Sequence, residues 1–225
     1  MFKIQKYSIN EHGESVQHLL DSYMIPIYLK RMGLTTDQRM DYVEMEEILD
    51  PKGAYNQKFE PHSLVVCDGD GKVIACQLSY CVNTDEVIQA MDTFRSTMND
   101  PNSKFNQLVE GSKLLMYLRH RLDVGNDIID LLEKFPNTKQ FLYLESSIVE
   151  PSWRKRNINA ALRQNFLLAS VNDMVIVEGM MKKEVWDRQA DNEHYEMGTR
   201  LYKCYITYDN YACSVYVKPP LKANL

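Results

Sequence analysis

Between Phe141 and Val177 the apolar pattern changes period twice, and no other stretch restricts so strongly what this chain can fold into. Phe141 to Val149 is rich in apolar and aromatic residues and is closed by Glu150-Pro151, so it reads as a strand. Ile158, Ala161, Leu162, Phe166 and Ala169 then recur at helical spacing and predict a helix from about Ile158 to Ser170. Met174-Val175-Ile176-Val177 is short and wholly apolar, the pattern of a strand buried on both faces. Strand, helix, strand is a crossover unit, and it predicts that Phe141–Val149 and Met174–Val177 are neighbouring parallel strands.

The rest of the chain has to complete a sheet around that pair. Phe2 to Ile9 reads as an opening strand, followed by a helix capped at Asn10 or Ser15 that carries Val16, Leu19, Leu20 and Tyr23. Pro26 is expected to interrupt it at Met24-Ile25-Pro26-Ile27, and a second helix is expected from Asp37 to Leu49, before Pro51. Ser63–Cys67 and Lys72–Leu78 flank Asp68-Gly69-Asp70-Gly71, whose Asp-Gly pairs supply the positive φ angles of a hairpin turn. Helical spacing returns from Val87 to Met98 and from Phe105 to Phe135, with a break expected at Gly125 and a new cap at Asn126 or Asp127. A helix from Lys183 to Met197 and strands at Leu201–Thr207 and Ser214–Lys218 finish a mixed α+β chain.

No repeat or linker divides the 225 residues, so residues 1–225 are expected to form one domain, large enough to bury its own core. A net charge of −5 argues against nucleic acid as partner, because counterion release needs a basic face. No apolar run reaches the length of a membrane span, and Met1–Lys6 lacks the apolar core of a signal peptide, so a cytoplasmic protein is expected. Five cysteines, an odd number without a C-x-x-C pair, predict reduced structural thiols and no metal site. His62 and His120 have no companion motif. Oligomeric state is not readable.

The turn between the first crossover strand and its helix concentrates charge. Arg154-Lys155-Arg156 sits where a helix N-terminus offers unpaired amides and a positive dipole end, a combination suited to phosphate or pyrophosphate. An exposed basic turn joining two core elements is the other reading of the same residues.

Val149-Glu150-Pro151, Trp153, Arg154 and Ala161-Leu162 together resemble the acetyl-CoA signature of GNAT acyl-CoA N-acyltransferases: a strand ending V-x-P, an aromatic, then R-x-x-G-x-G/A opening a helix. The Asp68–Gly71 hairpin falls where that family has its central pair of strands. The helical insert before the signature strand, Tyr208-Asp-Asn-Tyr211 and Val215-Tyr-Val-Lys-Pro219-Pro220 are most similar to invertebrate arylalkylamine and dopamine N-acetyltransferases. The resemblance implies a central mixed sheet whose two parallel strands splay into a cleft, flanked by helices. It implies transfer of an acetyl group from acetyl-CoA to a primary amine, possibly an arylalkylamine, with no metal. It also implies a CoA site at Ser147, Ile148, Val149, Arg154, Lys155, Arg156, Asn157, Ile158, Asn159 and Ala160. The alternative is a catalytically inactive module of this fold that binds CoA, another ligand or a protein.

Two positions depart from the family. Asn157 and Asn159 replace both signature glycines, and asparagine is the non-glycine residue that best tolerates left-handed backbone. Ile25 stands before Pro26 where the invertebrate enzymes carry a catalytic glutamate. Other members place catalytic His or Glu groups six and four residues before the V-x-P valine, where Tyr143 and Glu145 stand on one strand face by alternation. The resemblance therefore implies Glu145 as the replacement base; a carboxylate satisfied by a neighbouring Arg or backbone amide is the other reading. His194-Tyr195-Glu196 before Gly198 resembles the family's F-Y-E-K-x-G-F element, which makes Tyr195 the acid for the leaving thiolate.

Overall fold

A computed structural model describes residues 2–35, 37, 59–103, 108, 110–170, 173–189 and 199–220. Residues 38–49 of the expected helix at Asp37–Leu49 and the residues His194, Tyr195 and Glu196 lie outside them. The elements run β1 (Lys3–Lys6), α1 (Ile9–Leu19), a π-helical turn (Leu20–Met24), α2 (Ile25–Met32), β2 (Leu64–Cys67), β3 (Val73–Asn83), α3 (Thr84–Asn99), α4 (Lys113–Glu133), β4 (Gln140–Val149), α5 (Ile158–Ala169), β5 (Val175–Lys182), α6 (Lys183–Gln189), β6 (Arg200–Ile206) and β7 (Tyr211–Lys218). The seven strands form one sheet in the order β1-β2-β3-β4-β5-β7-β6.

The crossover unit is present as its pattern requires. β4 and β5 are the parallel pair, but they pair only over Leu142↔Val175, Tyr143↔Ile176 and Leu144↔Val177. Beyond that point β4 continues with β3 to Val149, and β5 continues with β7 to Lys182. The two strands part midway across the sheet and open a cleft.

Helices cover both faces. Val16, Leu19, Leu20 and Met24 pack on Val65, Cys76, Leu78 and Ile148. Val124, Ile128, Leu131 and Leu132 of α4 continue that layer over Phe141, Tyr143, Ile176 and Val215. On the other face, Ile158, Leu162, Phe166 and Leu167 of α5 close over Val66, Ile74, Leu142, Leu144 and Val175. Leu162 is fully buried, which for one such side chain is worth roughly 1.5–3 kcal/mol. The helices' apolar stripes therefore decide which edge of the cleft each one walls. No helix among the described residues is long and apolar enough to cross a membrane.

Three local expectations change. α1 begins at Ile9 with Ser8 at its N-cap, ahead of Asn10 and Ser15. Pro26 does not end the helical run: it falls in the first turn of α2, directly after a π-helical turn whose last bond runs from the Ile25 amide to the Leu20 carbonyl. Gly125 does not divide α4, which is continuous from Lys113 to Glu133. A Cβ at Gly125 would run into the Met91 side chain of α3, so the glycine serves helix–helix approach and not a C-cap. Gly125→Ala is accordingly expected to lower stability by about 1–3 kcal/mol through overpacking, despite alanine's better helix propensity. Chemical denaturation measures it, and a neutral or stabilising result would show that Met91 moves aside freely.

Candidate active site

The cleft left by the splay has a volume of about 740 Å³. One wall is β4 with the turn that follows it. Pro151–Trp153 forms a short 3-10 turn, and Lys72 fixes its approach by bonding Glu150 at 2.9 Å. Lys155 and Asn157 then take left-handed backbone, with φ of 64° and 58°. Asn157 thus takes the left-handed backbone that asparagine tolerates, and leads into α5 without a side-chain cap. The first helical bond is Ala161 N–H to the Asn157 carbonyl, so the amides of Ile158, Asn159 and Ala160 come before the ladder starts.

Ser147, Ile148, Val149, Arg154, Lys155, Asn157, Ile158, Asn159 and Ala160 all line the cleft. Arg154 also donates from Nε to the Val149 carbonyl at 3.1 Å, holding its guanidinium beside the strand end. Arg156 is not among the lining residues. Its guanidinium stacks 4.5 Å above the Trp153 ring. Arg163, one turn further along α5, adds a cation that the sequence did not single out.

Glu145 lies at the divergence point and lines the cleft, with its Oε2 buried. The ladder shifts there: Leu78 faces Ser146 and Ser79 faces Leu144, so Glu145 is an extra residue in β4. Alternation does not survive the bulge. Phe141 and Tyr143, and then Ile148, pack toward α4 and α1, whereas Leu142 and Leu144, and then Val149, pack toward α5. Simple alternation between Tyr143 and Glu145 was therefore the wrong basis for placing Glu145, although the residue does reach the cleft.

Glu178, the first β5 residue past the paired stretch, is the acidic group that sequence reasoning missed. It accepts from Arg121 at 2.8 and 2.7 Å, from the Tyr143 hydroxyl, and from the Cys213 thiol at 3.7 Å. Burial opposes its ionisation, but the Arg121 charge and the Tyr143 and Arg121 hydrogen bonds outweigh burial and hold its pKa down to about 2. His120, whose ring meets Tyr205 edge-on at 5.1 Å, is lowered to about 4, chiefly by burial. The sequence signal was a carboxylate directly after Val175-Ile176-Val177, at the position where the strand was expected to end.

The opposite end of the cleft is apolar and aromatic: Tyr23, Met24, Ile27 and Tyr28 from the π-helical turn and α2, Tyr117 from α4, Met180 from β5 and Tyr211 from β7. Ile25 takes no part and packs with the α2–α3–α4 cluster. Arg31 ties α2 to the β6–β7 turn. It bonds Asp209 at 2.6 and 3.1 Å, stacks 4.6 Å from the Tyr211 ring, and offers its carbonyl to the Tyr208 hydroxyl at 2.6 Å. Tyr208-Asp-Asn-Tyr211 is thus a clamp across this end of the cleft.

No protein-family profile matches the chain, and no curated protein does. Solved structures do match. The arylalkylamine N-acetyltransferase 2 from Aedes aegypti superimposes with a TM-score of 0.60 at 11% identity, over 97% of this chain and 98% of that one. The Drosophila melanogaster polyamine N-acetyltransferase, which forms N-acetylagmatine, gives 0.59 at 12% identity over 96% and 99%. A mosquito arylalkylamine N-acetyltransferase-like 5b gives 0.57 at 12% identity over 97% and 99%. The chain has the GNAT N-acetyltransferase fold.

Proposed function

We propose that this protein transfers an acetyl group from acetyl-CoA to a primary amine, and that the amine carries an aromatic or apolar body. The observation that carries the reading is the splay of β4 and β5, with an uncapped helix start and cations on one side and Glu145 at its apex. In this reading the CoA pyrophosphate meets the amides of Ile158–Ala160 with Arg154 and Lys155, and the pantetheine runs beside Ser147–Val149. Arg156 contributes long-range charge from its stack on Trp153.

Chemically, an alkylamine is protonated at neutral pH and must lose that proton before attack. Glu145 takes it, directly or through a water. The amine nitrogen then bonds to the thioester carbonyl carbon, a backbone N–H of the bulged β4 segment stabilises the oxyanion, and the carbon–sulfur bond breaks as the nitrogen releases its second proton to solvent. Tyr195, assigned by the family element, returns a proton to the departing thiolate.

The lining supports an arylalkylamine over a polycation. Among the described lining residues the acidic ones are Glu145 and Glu178, fewer than the aromatic ones. One ammonium and an aromatic body match Glu145 with Tyr23, Tyr28, Tyr117 and Tyr211.

Two measurements test this. Calorimetry with CoA is expected to show binding that Arg154→Ala weakens by about 1.5–3 kcal/mol, the loss of a charged hydrogen bond; unchanged affinity would take Arg154 out of the site. A panel of arylalkylamines, diamines and peptide N-termini with acetyl-CoA is expected to give turnover on the first class. CoA binding without turnover on any amine would favour an inactive binding module.

A further inference from the structure

We propose that His120, Glu178 and Cys213, of which Glu178 lines the cleft, form a binding site for Zn²⁺. The three residues come from α4, β5 and β7, and one ligand atom of each lies within 4.8 Å of the other two. Imidazole nitrogen, carboxylate oxygen and thiolate sulfur are together the ligand set that zinc accepts, and three protein ligands leave its fourth tetrahedral position for water.

The surroundings fit an ion better than a finished hydrogen-bond network. His120 is 7% exposed, and its Nε2 is fully buried without a hydrogen-bond partner among the described residues. Native interiors seldom leave a ring nitrogen so, and a bound ion would remove the deficit. Cys213 is completely buried, and its sulfur stands 3.7 Å from Glu178 Oε1, a long contact for a hydrogen bond and one that closes when both atoms bind the same metal. Tyr143 bonds the other oxygen, Oε2, and so steers Oε1 toward the thiol.

Arg121 sets the electrostatic condition. A divalent ion held by one thiolate and one carboxylate is neutral, the thiol proton passing to solvent on binding. Arg121 then remains the local charge, with 28% of its side chain exposed in the cleft, where water screens it. A monovalent ion or a hard cation such as Mg²⁺ gains little from sulfur and nitrogen ligands, so zinc is the expected occupant.

The test needs no acetyl-CoA, so its outcome is independent of the proposed acyl transfer. Full-length protein stripped of metal is titrated with Zn²⁺ in equilibrium dialysis, and with Co²⁺ in an absorption cell. One ion per chain is expected, with a thiolate-to-cobalt charge-transfer band and a higher thermal midpoint in Zn²⁺. Cys213→Ser and His120→Gln should each weaken binding by at least about 100-fold, since losing even an outer-sphere partner of a metal costs about 10–100-fold. Absence of stoichiometric zinc in wild type would overturn the site. So would a cobalt complex lacking the thiolate band, a readout on wild type that holds even if a variant fails to fold.

Discussion

Glu145→Gln is expected to lower acetyl transfer at neutral pH by about 10²–10⁴-fold while leaving CoA affinity nearly unchanged, because an amide cannot take the amine's proton. The split between rate and CoA binding follows from position. Glu145 sits in the β4 bulge at the apex of the cleft, whereas the charged turn proposed to meet CoA begins beyond Pro151. Raising the pH should restore part of the lost rate, since more of the free amine is then already neutral. Steady-state kinetics across pH, with calorimetry on the same variant, reads both effects. Normal turnover by Glu145→Gln at neutral pH would remove the residue from the mechanism, and Glu178 would not inherit the role readily. A carboxylate whose pKa is held near 2 by Arg121 and Tyr143 is a weak base.

Arg31→Met should cost about 3 kcal/mol of stability, the low end for breaking a buried ion pair. Arg31 retains 4% of its side-chain exposure and Asp209 18%, so the stranded carboxylate stays partly in contact with solvent and keeps the Thr207 hydroxyl at 2.6 Å. Replacing both partners, as Arg31→Met with Asp209→Asn, should recover part of the loss, because no unpaired charge remains. The pH dependence has a definite sign. Burial raises the Asp209 pKa, but the hydrogen bonds from Arg31 and Thr207 and the Arg31 charge prevail and hold it below the usual carboxylate value. A depressed folded-state value stabilises the protein above the unfolded-state pKa and is lost as pH falls through the folded one. The gap between wild type and Arg31→Met should therefore be constant near neutrality and shrink below about pH 4. Denaturant titrations at several pH values measure it; a gap that widens in acid would show that the pair does not carry the effect. Because this clamp joins Ile27 and Tyr28 to Tyr211, the same variant should also loosen amine binding.

Much of the fold was legible because its signals are local. The period change from strand to helix to strand between Phe141 and Val177 required a parallel pair, and β4 and β5 are that pair. Asp68-Gly69-Asp70-Gly71 required a hairpin, and Asp68 Oδ1 does accept from the amides of Asp70 and Lys72. Asparagine's tolerance of left-handed backbone anticipated Asn157 at a φ of 58°. The charged turn that lines the cleft is likewise continuous in sequence, so most of its lining residues stood together in the sequence. Helix ends near Gly125 and Pro26 were misread because both residues have two uses, and only neighbours decide between them: Met91 across from Gly125, and the first-turn position of Pro26.

What the sequence determined alone was the set of elements, the crossover that makes two strands parallel, and the charged turn at a helix start, all consequences of side-chain period and backbone preference within short consecutive stretches. What only the tertiary structure decided was which distant groups meet inside. The β4 bulge at Glu145 depends on ladder register with β3, and Arg31 meets Asp209 across 178 residues. His120, Glu178 and Cys213 converge from three elements. Such pairings carry no local period, because burial and strand register, not sequence spacing, bring those atoms together.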